Sequence, residues 1–414
     1  MSPELVDPLN ICIVAERFPI LGRASDHGFL WPIARGLASR GHNVTVLAWK
    51  NPQGKPEIQQ DNVQAYFLGE PYGLDRSEFP ELVLKKFETL HREKPFQIVH
   101  SIDKNGYLIG LNKKNFKVAM AYDVEATEMA QLFSILGMAR DTVSSLLQTS
   151  VAVFYKFMTT YWSSDRKLLK TADGIFVTNP MQRIILERYY LYPEYHTYLV
   201  PYGIEIRDLS PREKSNELRQ KLSIPLNAKV VVTITDMQEV AEIKNLLIAF
   251  EKVAVKKPSA RLIIVGSGPK LKQIEYQTYM LALGTRVVFA GAVRNSDLPD
   301  YIALADVFIN ISSRTTGFEP NLLEAMAQQK VIVGSEVSPI ATIVEDGDDG
   351  FLIRPADTTA LTHLLLQIFT EQLPVEKIGE HARNKVLDLF DSNKMVDQTL
   401  EAYRNTLKKS GHQR

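Results

Sequence analysis

This chain has a single cysteine, no net charge and no apolar run long enough to cross a bilayer. Cys12 stands alone among 414 residues, so no intramolecular disulfide framework can form. Its place in the apolar run Ile11–Val14 predicts a buried thiol in a reducing compartment, hence a cytoplasmic protein. Lys+Arg total 48 and Asp+Glu total 48, which leaves no global field to attract a polyanion, and no nucleic-acid partner is expected. An uninterrupted stretch of the roughly 18 apolar residues that a membrane span needs is also missing. The opening segment Met1–Asp7 lacks a basic n-region, and the apolar run after it has strand length, which argues against a signal peptide. Zinc-ligand spacing, a nucleophile elbow and a Walker loop are absent. The acidic cluster Glu345-Asp-Gly-Asp-Asp349 lacks the remaining ligands of a calcium loop and predicts a surface turn.

What is present is alternation. Forty-five per cent hydrophobic residues over this length exceed one ordinary core and suit two domains. Short apolar runs alternate with helical periodicity, the βαβ pattern of a parallel sheet. Strands are expected at 10–15, 43–48, 97–100, 118–121, 174–178 and 197–200. A second series follows at 230–234, 261–265, 286–290, 307–311, 330–334 and 350–353. A helix at 29–40 is closed by Gly41, and Pro201-Tyr-Gly-Ile-Glu205 reads as a hinge. The last stretch, 357–409, is helical.

The densest chemistry lies in Arg314-Thr-Thr-Gly-Phe-Glu-Pro-Asn-Leu-Leu-Glu-Ala-Met-Ala327. Gly317 permits a sharp loop, and Pro320 suits the first turn of a helix, where its missing N–H costs nothing. A helix N-terminus offers free backbone N–H groups to an anion such as a diphosphate. Glu324 lies one turn further in, placed to reach a sugar or ribose diol.

This stretch resembles the donor motif E-G-F-G-x-x-x-x-E-A-M-A of the retaining GT-B glycosyltransferases, the family 4-like group that includes glycogen, sucrose and bacterial lipid-mannose synthases. Gly317, Phe318 and Leu322–Ala327 match; Thr316 replaces the first Glu, and Glu319 replaces the second glycine. Other stretches resemble the family in order along the chain: Gly41-His-Asn-Val-Thr-Val-Leu47, Val200-Pro-Tyr-Gly-Ile-Glu205, Val265-Gly-Ser-Gly-Pro269, Ala305-Asp-Val-Phe308, and Gly347-Asp-Asp-Gly-Phe-Leu352 followed by Pro355 and Asp357. The resemblance implies an α/β protein of GT-B type, with two Rossmann-like domains facing across a cleft. It implies domains at 1–204 (acceptor side), 205–385 (donor) and 386–414 (a helix packing back on the first domain).

It also implies a site. Glu324 would hold the ribose, and the loop and helix start formed by Arg314, Thr316, Gly317, Phe318, Glu319, Pro320, Asn321, Leu322 and Leu323 would cradle phosphate and sugar. Lys244 fits the family's phosphate lysine, and its alternative is a solvated helix face. The companion arginine falls near Thr235-Asp236 and is missing; Arg314 is a substitute. Gly266 would approach the donor by its backbone, as would Gly22 of the loop Phe18–Gly28, unless that loop is a plain strand–helix connection capped by Ser25 or Asp26. Where relatives carry His-Asp near the sugar, this chain has Tyr122-Asp123. Tyr122 and Asp123 would face the reacting sugar with Lys244 on the leaving group. His100 reads as a core histidine or a cleft residue, and Thr342 replaces a further family Glu. No cofactor and no metal are expected, because Lys244 and helix dipoles would carry the diphosphate.

The expected function is transfer of a hexose from a nucleotide sugar to a glycan or lipid-linked acceptor with retention. Joint change at Thr316, Tyr122, Asp236 and Thr342 supports a second reading, a degenerate relative acting as a scaffold or subunit of a glycan-synthesis complex. A GT-B epimerase or sugar-phosphate synthase is a third. The unusually apolar segment 129–170 has two readings. It is either a peripheral membrane element at the inner face of the membrane or a helix pair buried on the first domain or in a homodimer.

Overall fold

The computed structural model describes residues 8–18, 28–49, 51, 54–69, 76–124, 127–129, 164–206, 209–237, 240–294, 296–311, 320–337 and 340–411. These divide into two compact units. The first holds the described residues up to Gly203 and those from Ser392 onward; the second holds those from Ile204 to Asp391.

The first unit runs β1 (Asn10–Val14), α1 (Leu30–Ser39), β2 (Asn43–Ala48), β3 (Glu57–Gln60), β4 (Val63–Phe67), α2 (Phe79–Glu93), β5 (Ile98–Ile102), α3 (Tyr107–Leu111), α4 (Lys113–Phe116), β6 (Ala119–Asp123), α5 (Ser164–Thr171), β7 (Gly174–Val177), α6 (Pro180–Tyr190) and β8 (Thr197–Leu199). Among the described residues its sheet has the order β3-β4-β2-β1-β5-β6-β7-β8. The central strands are buried along almost their whole length, so they read as mostly apolar without strict alternation, and even His100, Ser101 and Asp123 within them are enclosed. α1 ends where Gly41 turns to φ +88 and its N–H returns to the Ala38 carbonyl, a left-handed cap that favours glycine.

The second unit runs α7 (Asn216–Lys221), β9 (Val230–Ile234), α8 (Val240–Lys256), β10 (Arg261–Val265), α9 (Leu271–Met280), β11 (Val287–Gly291), α10 (Leu298–Ala303), β12 (Val307–Asn310), α11 (Pro320–Ala327), β13 (Val331–Ser335), α12 (Ile340–Ile343), β14 (Phe351–Ile353), α13 (Thr358–Phe369) and α14 (Val375–Leu389). The order β11-β10-β9-β12-β13-β14 is parallel throughout. The chain then returns to the first unit through α15 (Ser392–Lys409), which packs on α1 and buries Met395, Val396, Leu400 and Tyr403.

All twelve expected strands are present within a residue or two of their expected bounds. One pair was not expected. β3 and β4 form an antiparallel hairpin closed by Asp61 and Asn62, at φ 48 and φ 61. Both central residues in the left-handed region make the two-residue turn that matches strand twist.

Candidate functional site

In a parallel sheet, ligands bind beyond the carboxyl ends of the strands, where the strand order reverses. In the second unit β9 is that point, because the chain moves from β9 outward to β10 and later returns to β12 on its other side. α8 follows β9 and α11 follows β12, so the N-termini of both helices lie at the carboxyl edge beside the reversal. Their unpaired N–H groups and dipoles make this edge favourable for an anion.

α11 carries the residues singled out in the sequence. Pro320 opens it, and Pro320, Leu322, Leu323 and Glu324 are all buried. Glu324 is 2 % exposed, an ionisable group in the interior of a helix. Asn321 directs a buried Oδ1 that accepts no hydrogen bond among the described residues. The far end of the helix is fastened from behind. Gln328 Nε2 donates to the Pro299 carbonyl at 3.0 Å, and the Arg383 guanidinium donates to the carbonyls of Ala327 and Leu209. Lys244 lies on the second turn of α8, exposed and without an ion pair among the described residues. Gly22, Arg314, Thr316, Gly317, Phe318 and Glu319 lie outside the described residues.

Gly266 has an immediate structural reason. It holds φ +125, and a Cβ there would lie 1.9 Å from the Thr235 carbonyl oxygen. A Cβ on Gly268 would lie 1.9 Å from the Asp236 carbonyl oxygen. The loop after β9 therefore lies flat on the loop after β10. It is held there by Thr235 N–H to the Val265 carbonyl (2.9 Å) and Lys270 N–H to the Met237 carbonyl (3.2 Å), while Met237 N–H to Thr235 Oγ1 (3.0 Å) tightens the β9 loop itself. The two glycines thus shape the stretch Thr235–Met237 that follows β9.

The first unit separates the pair Tyr122-Asp123 by strand periodicity. Tyr122 faces the core cluster of Val118, Met120, Leu168 and Ile175 and is fully buried. Its hydroxyl lies 2.9 Å from Thr171 Oγ1; since Thr171 Oγ1 already donates to the Leu168 carbonyl, the tyrosine is the donor. Gly110 leaves room for that hydroxyl, since a Cβ there would stand 2.2 Å from it. Burial raises the phenol well above its ordinary pKa. A core role thus replaces the sugar-facing one expected for Tyr122. The reason is parity: of two adjacent strand residues, one must point into this core.

Asp123 points to the other face at the carboxyl end of β6. It is 2 % exposed and its Oδ1 accepts from the Tyr202 hydroxyl at 2.8 Å. The Tyr202 ring stacks on Phe29, the residue before α1, at 3.5 Å and 10°. Motif reading noted Tyr202 only as the replacement for a hinge asparagine and missed its hold on Asp123. The signal was its conformity to a buried aromatic, which is visible only once Phe29 and Asp123 have neighbours.

His100 proves to be a core histidine. Its Nδ1 lies 2.7 Å from the Tyr403 hydroxyl, its ring stacks on Phe176 at 4.7 Å, and burial lowers its pKa to about 3. The acidic turn is used internally, with Asp348 on His381, Asp349 on Lys385 and the Glu345 N–H, and Asp346 on the Leu352 N–H. Two surface concavities of about 530 and 580 Å³ involve neither carboxyl edge; the larger is lined by Lys229 and Asp306, which precede β9 and β12.

Comparison with known proteins places this geometry in a class. Residues 29–203 match the family described as glycosyl transferase 4-like domain, and residues 214–385 match glycosyl transferases group 1. The chain belongs to the GT4-like glycosyltransferases of GT-B fold. It is similar to the N-acetyl-alpha-D-glucosaminyl L-malate synthase of Bacillus anthracis, 28% identical over 46% of this chain and 49% of the relative. The chain thus spans about half the length of the first curated relatives it matches. The fold is that of sucrose-phosphate synthase from Thermosynechococcus elongatus (TM-score 0.75, 20% identity, 96% of this chain and 98% of that one). It is also that of Anabaena HepE in complex with UDP-glucose (TM-score 0.71, 17% identity, 95% and 98%).

Proposed function

We propose that this chain transfers a hexose from a nucleotide sugar to a glycan or lipid-linked acceptor with retention of configuration. The observation that carries the reading is α11. It begins with proline beside the strand-order reversal of the second unit, points its N-terminus at the carboxyl edge and carries the buried Glu324 one turn in. Family membership and the UDP-glucose bound by HepE support a nucleotide-sugar donor here.

In this reading the diphosphate sits against the α11 N-terminus with Lys244 as counter-cation, and Glu324 accepts from the ribose hydroxyls. As the glycosidic bond breaks, charge accumulates on the leaving diphosphate, and preorganised N–H groups and an ammonium stabilise that charge. A lysine supplies a point charge where an arginine would supply a two-pronged one, so Lys244 alone grips less firmly. No metal is needed. Asp123, held by Tyr202, orients the acceptor.

The test is calorimetric titration of the chain with UDP, GDP, ADP and their hexose conjugates. Micromolar affinity for one nucleotide sugar, lost in Glu324→Ala, is expected. Unchanged affinity in that variant would sink the site. The scaffold reading draws support from two particulars, the core placement of Tyr122 and the acidic Asp236 where a phosphate arginine is expected. Turnover with any donor, even slow release of free sugar, counts against it.

A further inference from the structure

We propose that Lys330 is a modification site, an amine that the second unit presents to small acyl donors such as acyl phosphates. Three adjacent strands of that unit, β9, β12 and β13, each begin one residue after a charged side chain: Lys229, Asp306 and Lys330. Because Val307 pairs with Val331, Asp306 and Lys330 stand side by side at the amino edge of the sheet. An aspartate and a lysine so placed would ordinarily pair. Here both carboxylate oxygens are occupied, Oδ1 by the Lys214 ammonium at 2.7 Å and Oδ2 by the Val230 N–H at 2.8 Å. Lys229 is drawn off to Glu371 at 3.4 Å. The Lys330 amine instead donates to the carbonyl of Ala303, the last residue of α10, at 2.8 Å, and has no ion pair among the described residues.

Two lysines thus stand at one carboxylate, and Lys214 holds it. As a cation, Lys330 would be half-buried near a second cation, with only a carbonyl to balance its charge. As a free amine it keeps the same hydrogen bond and leaves the Lys214–Asp306 pair balanced. Burial first, and Lys214 second, lower its pKa to about 8, against the opposing pull of Asp306. At about pH 7.5 roughly a quarter of the chains then carry the free amine, where an ordinary lysine offers about one in a thousand.

Acylation is the chemistry that suits this position. The amine lone pair attacks the acyl carbon and the carbon–oxygen bond to phosphate breaks. Phosphate leaves with that electron pair and takes up the proton that nitrogen gives up. The product is a neutral amide, whose remaining N–H can keep the bond to Ala303, and no charge is left buried. An anionic adduct such as a carbamate would instead set a second negative charge near Asp306. There is an approach for the reagent, since Asp306 lines the concavity of about 580 Å³ at this edge. The site lies at the amino edge of the sheet, away from the donor edge, and the inference does not depend on the proposed reaction.

The experiment is to incubate the full chain with limiting acetyl phosphate at about pH 7.5 and to follow acetylation of each lysine by peptide mass spectrometry. Lys330 should react about tenfold or more faster than the exposed Lys256 and Lys272. Lys214→Met is the sharper probe, because Lys214 bonds to Asp306 and not to the Lys330 amine. With Lys214 gone, Asp306 is free to hold the Lys330 ammonium, and the rate at Lys330 should fall by about tenfold. A Lys330 rate no higher than that of the exposed lysines overturns the proposal, as does an unchanged rate in a Lys214→Met chain that melts like wild type. Should that variant not fold, the pH dependence of labelling at wild-type Lys330 settles the matter. A midpoint near 8 is expected, and one near the ordinary 10.5 overturns the proposal.

Discussion

At the scale of single residues, the adjacent pair Tyr122 and Asp123 shows how one strand position divides core from site. Tyr122→Phe should cost about 1 kcal/mol, the net worth of one buried neutral hydrogen bond, and leave turnover unchanged. A loss of turnover by orders of magnitude with intact stability would return the phenol to the chemistry. Gly110→Ala should cost more, because its Cβ would stand 2.2 Å from the Tyr122 hydroxyl. Part of that cost should vanish in the Tyr122→Phe background, and urea melts of the double-mutant cycle read the coupling directly. His100 sets an acid limit. Its folded pKa is about 3 against 6.5 for an unperturbed histidine. Between those values the unfolded chain binds a proton that the folded chain refuses. Stability from this group is therefore fully present above pH 6.5 and falls as pH drops toward 3, by up to about 1.4 kcal/mol per unit. In His100→Phe, denaturant melts from pH 7 to 4 should show a flatter slope. At pH 7 the variant should be destabilised by about 1–3 kcal/mol, because the Tyr403 hydroxyl loses its partner.

At the scale of elements, what could be read from the sequence follows burial. Strands such as Val230–Ile234 and Arg261–Val265 are buried along almost their whole length, so their largely apolar runs announce themselves. β3, Glu-Ile-Gln-Gln, is an edge strand with exposed and half-buried residues, and carries no such run. The overlooked clue was Asp61-Asn62 before the alternating Val63–Phe67. The site was legible where backbone geometry dictates composition, as in Pro320 and the glycines at 266 and 268. It was illegible where a side chain finds partners distant in sequence, as Tyr202 finds Asp123 and Phe29. The two glycines yield an element-scale prediction. Gly268→Ala must displace the Asp236 carbonyl and lift the loop after β9 from the loop after β10. Core strands should stay protected from hydrogen exchange while residues 235–237 and 266–270 lose protection, and nucleotide-sugar affinity should fall about tenfold or more. Retained loop protection with full affinity would show that this stacking does not shape the donor edge.

At the scale of the whole molecule, the first unit is discontinuous, since it needs the last helix of the chain to complete its core. α15 brings Tyr403 to His100, Met395 Sδ to the Gly203 N–H at 3.2 Å, and Asp397 to Arg40 at 2.8 Å. Thr406 Oγ1 sits where a Cβ on Gly174 would come within 2.5 Å, so β7 and the helix meet almost backbone to side chain. The second unit contains no residue of α15. Its own core joins β9, β10 and β12 to α8 and α13, and α11 is fastened by α14 through Arg383. Removing residues 392–414 should therefore damage the part of the chain most remote in sequence. Helix α1 and strands β5 and β7 would lose the surface that covers His100 and Phe176 and expose it to water, at a cost of several kcal/mol for the apolar area alone. In hydrogen exchange of the truncated chain, peptides spanning 10–14, 98–102 and 174–177 should lose protection. Peptides spanning 230–234, 261–265 and 307–310 should keep it. Uniform loss in both units would mean that the chain folds as one cooperative body, and uniform retention would mean that α15 is ornament to a core already complete. Selective loss would show that α15 is a structural part of the first unit, so that the first unit cannot close until the second, which precedes α15 in the chain, has been made.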